Sequence, residues 1–385
     1  MNWDARAKAS IAQGCTTFSK KSSQYIEGVS PTHAIGGYGP AMVVETLKGD
    51  QEIMIDFVCG LGSNLLDVRN NFSLPSTKEV ILAERIKGLF PCIERVKILK
   101  TGTAATDAAV RIARAYTGKS LVWGMGYHGS SDLWVSVEDP GVGTFFQFYQ
   151  KFKSYENLIA SLHNAPESLA AVIIEPVQLD MGVRAQLEEI RRVCTEKEII
   201  LIHDEVITGF RFLDYSVSNH FGIQPDLICL GKALGNGAAI SIVGGKDEIM
   251  ETEGLFISNT HNGELSGIVA ALQTLDFLTR EKISDLWARG EAFQYAFNKL
   301  SPKLQIVGYP TRGELRGEDE FKACFMQEMS RRGYFFGRAW FITHAHTAEI
   351  LSQCLTVAGD VVARIDAGLV KLEGLAPRPI FRRNA

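Results

Sequence analysis

The sequence predicts an α/β protein: a large domain with a mostly parallel sheet sandwiched by helices, plus a small α+β lobe from both chain ends. Three observations carry this. Continuous apolar runs such as "LAAVII" (169–174), "IILIHDEV" (199–206) and "DLICLG" (226–231) have strand length without alternation, as in strands covered on both faces. Amphipathic helical stretches separate these runs, which is the pattern of parallel β/α units. From about residue 301 that alternation stops, and short strands and helices mix without a strong signal.

The elements follow in order. A polar helical opening (about 4–27) precedes the loop "GVSPTHAIGGYGP" (28–40). "ETLKGDQEIMIDFV" (45–58) is read as a hairpin around a Gly-Asp turn. "STKEVILAERIKGLF" (76–90) has helical spacing and a Ser/Thr start. Then come a strand "RVKILK", a helix "TDAAVRIARAYTG" ending at Gly118, and a strand "SLVWGMG". A helix "SYENLIASLHNA", the strand "LAAVIIEPV" and a helix "RAQLEEIRRVCTEKE" lead to the two remaining apolar strands. Residues 264–280 and 284–300 are read as helices. The expected division is a large domain at 45–275 and a small one from 1–44 and 276–385.

Bulk properties narrow the function. Of 385 residues, 46% are hydrophobic and 22% charged, a composition of ordinary globular proteins. The net charge of -4 and the lack of a basic block argue against a nucleic-acid partner. Apolar runs are too short to span a bilayer, and "MNWDARAKAS" has no apolar signal region. Seven dispersed cysteines without a C-x-x-C pair read as reduced thiols of a cytoplasmic protein and argue against a zinc site.

In open α/β sheets, ligands bind beyond the carboxyl ends of the strands. "GMGYHG" (124–129) fits the dinucleotide pattern G-x-G-x-x-G. "SSDLWVSVEDPGVG" follows it, however, and is not the amphipathic helix that pattern requires, so the glycines read better as turn residues. Lys232 does not belong to a P-loop, because Asp226 and Ala233 stand where Gly and Ser or Thr are required. Gly102 and Thr103 lie between a strand and a helix, where backbone N–H groups and a hydroxyl can hold a phosphate; a plain capping turn is the alternative. Asp204 and Glu205 directly follow an apolar strand, as a partner for a cationic cofactor atom or as a capping or salt-bridging pair. Lys232 follows the next strand, where apolar surroundings favour an amine nucleophile; a surface lysine is the blander reading. A phosphate loop, a strand-end Asp and a strand-end Lys together match the needs of pyridoxal phosphate: a cradle, a carboxylate for the pyridine nitrogen, and a Schiff-base lysine.

Over about residues 25–280 the chain resembles the class III (fold type I) pyridoxal-phosphate aminotransferases, and within them the glutamate-1-semialdehyde aminomutase branch. "TGTAATDAAVRIARAYTGK", "GYHG", "IIEPV", "DEVITGFR", "PDLICLGKALGNG" and "NTHNGELSG" occur in the family's order, and "HAHT" (344–347) resembles a C-terminal element. The resemblance implies that Lys232 forms the Schiff base and moves the substrate proton, and that Asp204 binds the pyridinium nitrogen. It implies ring contacts from Val206 and Tyr127, and phosphate contacts from Gly102 and Thr103. Thr260 would reach the phosphate from a second subunit, in a homodimer with shared active sites. His128 and Glu175 lie in matching elements as further cofactor-site residues.

There are departures. Ala104 replaces the Glu of the family's S-G-T-E stretch. The branch's S-P-V-R is "SPTH" here, with Ser30 kept and His33 in place of an Arg that resembles a carboxylate binder; neutral His lacks that bidentate fork. Ser30 and His33 are therefore candidate substrate residues, and Arg338 is a candidate carboxylate binder in a short C-terminal lobe. "VEDPGVG" (137–143) resembles the branch's active-site loop. The implied activity is transfer of an amino group between an amine or amino-acid donor and a carbonyl acceptor. Intramolecular transfer by an aminomutase is the alternative, and a nicotinamide-dependent dehydrogenase or a non-catalytic binding protein is the remote one.

Overall fold

The computed structural model describes residues 2–17, 20–24, 30–38, 41–46, 49–55, 70–135, 148–373 and 376. A seven-stranded sheet dominates it, built from β4 (Arg95–Leu99), β5 (Leu121–Met125), β6 (Tyr149–Lys151), β7 (Leu169–Ile174), β8 (Ile200–Asp204), β9 (Leu227–Leu230) and β10 (Ser241–Gly245), preceded in the chain by β1 (Ala34–Tyr38), β2 (Ala41–Glu45) and β3 (Gln51–Ile55) of a separate sheet. The strand order is β4-β10-β9-β8-β7-β5-β6. Pairing is parallel from β6 through β9, and β10 runs antiparallel to both β9 and β4. Two reversals cancel, so β4 points the same way as β5 to β9. The carboxyl ends of β4, β5, β7, β8 and β9 thus share one edge.

Each buried strand is continuously apolar because helices cover the sheet. The Gly102–Thr117 helix lays Ala105, Ala108, Ala109, Ile112 and Ala113 on it; these small side chains share one core with Val122, Ala171, Ile202 and Cys229. Gly118 ends this helix in the left-handed conformation (φ 68°), as its position in the sequence predicts. The Thr77–Leu89 helix begins with a capping box of Ser76 and Glu79.

Strands β1 (Ala34–Tyr38), β2 (Ala41–Glu45) and β3 (Gln51–Ile55) form a three-stranded antiparallel sheet. The expected hairpin is β2–β3, with Thr46 N–H donating to Asp50 O across its turn (2.8 Å); β1 is an added strand. The opening helix is shorter than expected. It covers Trp3–Ser10 and gives way at Ile11 to an extended residue and a single tight turn.

The chain divides into two compact units, Met1–Pro176 with Ala185–Thr279, and Val177–Arg184 with Arg280–Ala385. The N-terminal residues therefore group with the large unit, not with the C-terminal lobe as expected. Arg6 pairs with Glu84 (2.6 Å), Ile11 bridges to Val96, and the Lys97 amine donates to Cys15 O (2.7 Å). The second unit holds the antiparallel strands β11 (Leu304–Tyr309), β12 (Arg312–Gly317) and β13 (Ala339–Phe341). Its core includes Phe293, Phe297, Phe325 and Trp340. Among the described residues no helix is long and apolar enough to cross a membrane.

Candidate active site

The sheet's carboxyl edge collects most of the residues singled out from the sequence. Asp204 is the last residue of β8, and Lys232 stands two residues beyond β9, the neighbouring parallel strand. Lys232 begins a 3-10 turn with a positive φ of 41°, a backbone state unusual for a residue with a side chain. Such strain persists only where surrounding structure enforces it, and it concentrates at functional sites.

Val206 ties the edge together. Its methyl Cγ1 lies 2.9 Å from where a Cβ on Gly102 would stand, and 3.3 Å from where one on Gly231 would stand. The start of the Gly102–Thr117 helix and the residue before Lys232 thus close on one buried side chain, two residues after Asp204. Ser241 strengthens the junction by donating its hydroxyl to Thr101 O (2.7 Å).

Thr101 is the helix cap. Its side chain accepts from Ala104 N (3.1 Å), so Thr103 is not the capping residue, and its hydroxyl oxygen instead accepts from Ser130 N (3.3 Å). That acceptor role leaves the Thr103 O–H proton directed elsewhere. The backbone N–H groups of Gly102 and Thr103 lie in the first turn, where a helix has no carbonyls to offer them. Together with the helix dipole they suit an anion. Ala104 packs on the apolar core, which explains an uncharged residue there.

The "GMGYHG" stretch serves this edge, and among the described residues up to Val135 a four-residue helix (Asp132–Val135) follows it. Its glycines are close-approach residues. A Cβ on Gly124 would strike Tyr149, one on Gly126 would strike Glu175, and one on Gly129 would lie 2.6 Å from Thr103 Oγ1. Glu175 follows β7, is 4% exposed, and accepts the Tyr127 N–H (2.9 Å), fixing this turn. Tyr127 is 44% exposed, leaving its ring available on the edge. Thr106 donates to His128 O (2.5 Å).

The structure assigns His128 a partner. Its Nδ1 lies 2.8 Å from Asp204 Oδ2, a hydrogen bond with both side chains buried. The other Asp204 oxygen accepts from Val206 N (3.2 Å). His128 Nε2 is buried without a hydrogen-bond partner among the described residues. Trp134 meets the imidazole edge to face, 5.3 Å between centroids.

The adjacent acids divide their labour. Glu205 is fully buried and turned away from the edge residues. It accepts from Thr208 Oγ1 (2.8 Å), Val217 N (2.8 Å), Ser218 N (2.9 Å) and the Ser218 hydroxyl. Burial pushes its carboxyl above the usual range against those donors.

Other candidates lie elsewhere. Thr260 is exposed in the turn before the Leu265–Phe277 helix, whose cap is Glu264, so Thr260 is not the helix cap; its carbonyl accepts from Asn71 Nδ2 (3.2 Å). His33 immediately precedes β1, is 3% exposed, and has Thr32 Oγ1 at 3.1 Å. It lines a cavity of about 210 Å³ with Asn2, Trp3, Thr32, Glu45, Thr46 and Gly49, none of them at the carboxyl edge of the seven-stranded sheet. Burial holds its imidazole down at about 4. Ser30 is half-buried in the segment leading to it. Arg338 belongs to the second unit and faces Glu314 at 3.5 Å, which gives its charge a partner within that unit's sheet. There Thr347 caps the Ala348–Asp366 helix and the carbonyls of His344 and His346 accept from Arg289 (3.5 and 3.4 Å). Residues 137–143 lie outside the described residues.

Thr101, Thr106 and Ser241 were not singled out from the sequence, and Gly129 only as a turn glycine. Thr101 carried a signal, being a hydroxyl residue at a strand-to-helix junction. The partners of the other three are distant in sequence.

The fold is that of the pyridoxal-phosphate transaminases. The solved structure of the internal aldimine form of the FumI protein from Sphingopyxis sp. MTA144 superposes with a TM-score of 0.72 at 20% identity, covering 96% of this chain and 97% of that one. Sequence comparison carries the assignment further. The family model of class-III aminotransferases matches residues 68–323, and the chain belongs to that family. It is thus a pyridoxal 5'-phosphate-dependent aminotransferase by family. The chain is 32% identical to a 3-aminobutyryl-CoA aminotransferase of Cloacimonas acidaminovorans over 273 residues, 64% of this chain and 66% of that protein. It is 30% identical to a glutamate-1-semialdehyde 2,1-aminomutase of Methanothermobacter thermautotrophicus over 392 residues, 86% of this chain and 92% of that protein.

Proposed function

We propose that this chain works as a cytoplasmic homodimer with shared active sites, moving an amino group from an amine or amino-acid donor to a separate carbonyl acceptor. In this reading Lys232 is the residue that carries the cofactor covalently. The observation that carries the proposal is the joining of Asp204, Lys232 and the Gly102 helix start around Val206 on one sheet edge. The cradle fits the cofactor's phosphate. It offers a helix N-terminus with no side chain at Gly102, where a Cβ would collide with Val206, and a Thr103 hydroxyl beside it.

Pyridoxal phosphate, when bound, supplies an aldehyde carbon and a ring that withdraws electrons from it. The chain's residues do the rest. Gly102, Thr103 and, from the partner subunit, Thr260 bind the phosphate, and the larger unit is the cofactor-binding one. Asp204, oriented by its hydrogen bond with His128, would bind the protonated pyridine nitrogen. Val206 and Tyr127 flank the ring, and Glu175 fixes the Tyr127 backbone. Lys232 Nζ would take the proton from the donor's amine-bearing carbon and hold it for return on the far side of the amine nitrogen.

His33 favours the intermolecular reaction. It is buried, uncharged near neutral pH, and has no bidentate fork for a substrate carboxylate. Relatives named as aminomutases, which match over most of their length, favour the intramolecular reading. Supplying glutamate 1-semialdehyde alone separates the two. No 5-aminolevulinate without an added amino donor is the result expected here; steady product without a donor establishes the aminomutase.

A further inference from the structure

The turn that carries Thr260 is held from beneath by residues that no sheet-edge chemistry explains. Lys20 is 1% exposed, and Asn71, also 1% exposed, lies against it: Lys20 Nζ donates to Asn71 Oδ1 at 2.6 Å. The same Asn71 amide donates from Nδ2 to Thr260 O at 3.2 Å. One buried carboxamide therefore links a buried ammonium to the backbone of Thr260. Two more bonds grip the same turn from the N-terminal segment. Thr17 Oγ1 donates to Asn259 O (3.0 Å), and Asn262 Nδ2 donates to Thr16 O (3.4 Å). Thr16 in turn bonds Glu79, and Glu79 caps its own helix by accepting from Ser76 N (2.8 Å). Gly263 brings the turn close to Glu79, since a Cβ there would overlap its carboxylate.

Burying a lysine amine is costly unless it is fully hydrogen-bonded. Packing alone would be served better by an apolar residue at position 20. A polar network of this kind fixes one conformation where an apolar contact would allow several. The Thr260 side chain stays exposed above it.

We propose that Lys20 and Asn71 are positioning residues for Thr260: they lock its backbone so that the exposed hydroxyl is preset for the phosphate of a neighbouring subunit's cofactor. This rests on the reading of Thr260 given above. It makes the N-terminal segment, remote in sequence from every strand-edge residue, a determinant of cofactor affinity.

The test is cofactor dissociation from the full-length holoenzyme, followed by dialysis alongside thermal melting. Thr260→Ala, Asn71→Asp and Lys20→Met are compared. Asn71→Asp keeps an acceptor for Lys20 but has no N–H for Thr260 O. It should bind pyridoxal phosphate about tenfold more weakly, the size of one hydrogen bond, with Tm close to that of the parent. Lys20→Met should weaken binding similarly. Adding Thr260→Ala to Asn71→Asp should cost little more than either change alone, because both act through one hydroxyl. Wild-type affinity in Thr260→Ala overturns the reading of Thr260, and this proposal with it. Weak binding in Thr260→Ala alone, with wild-type affinity in the other two, overturns the positioning role only. So do effects that multiply in the double variant. If Lys20→Met fails to fold, Asn71→Asp decides the matter.

Discussion

Gly129→Ala probes the phosphate cradle without replacing any residue assigned to bind the cofactor. Gly129 has a φ of +136°, a backbone state that side chains rarely adopt. A Cβ there would stand 2.6 Å from Thr103 Oγ1, 2.8 Å from Thr103 Cγ2 and 2.9 Å from Thr103 Cβ. Ordinary contact begins at 3.4 Å, so Thr103 must retreat by about 0.8 Å or the turn must open. Thr103 is in the first turn of the Gly102–Thr117 helix, so its displacement disturbs the helix start. The backbone strain alone costs on the order of 1–3 kcal/mol. A displaced hydroxyl forfeits a charge-assisted hydrogen bond, worth about 1.5–3 kcal/mol. The account therefore expects cofactor affinity to fall by roughly tenfold to a hundredfold, with a lowered melting temperature. Cofactor retained after dialysis, measured against total protein, reads the affinity; circular dichroism reads the melt. Wild-type cofactor retention in a variant that melts several degrees lower would refute the link between Gly129 and the cradle.

Glu205→Ala should cost about 3 kcal/mol of stability in denaturant unfolding, because it orphans the buried N–H groups of Val217 and Ser218. A loss below about 0.5 kcal/mol, the scale of an ordinary surface change, would show that this carboxylate does not organise the turn after β8. His33 makes stability pH-dependent. Its imidazole has a usual value of 6.5 when unfolded, and burial keeps it neutral down to about 4 in the fold. The unfolded chain binds the extra proton between those values, so stability falls as pH drops from 6.5 to 4, by on the order of 3 kcal/mol. His33→Asn should flatten the melting temperature over that window; an unchanged slope would assign the acid sensitivity to other groups.

Much of this architecture was legible because buried parallel strands leave continuous apolar runs, and β7, β8 and β9 lie where those runs are. The antiparallel β10 was not legible. "SIVGG" is short and ends in two glycines, which are there because a Cβ on Gly244 would strike Ile93 and one on Gly245 the Asp226 backbone. The N-terminal helix was drawn too long for a related reason. Gln13 and Cys15 are held by the distant residues Met250, Glu251 and Lys97, and a local pattern carries no trace of them. At the edge, Asp204 and Lys232 could be picked out because strand ends are visible in sequence. Which of two adjacent acids faces the site could not, since it depends on His128 arriving from β5 and Ser218 arriving from a following helix. The glycines of "GMGYHG" resembled a nucleotide fingerprint, and their real partners, Tyr149, Glu175 and Thr103, are side chains on other elements.

The central claim is that Lys232, at the end of β9, carries the cofactor and moves the proton. Borohydride treatment of the purified holoenzyme, followed by peptide mass mapping, tests it most directly. The account predicts a reduced pyridoxyl phosphate adduct on the peptide containing Lys232, and no adduct with Lys232→Ala, whose fold should survive because the side chain lies in an exposed turn. An adduct on another lysine, or none on a protein saturated with pyridoxal phosphate, would contradict it.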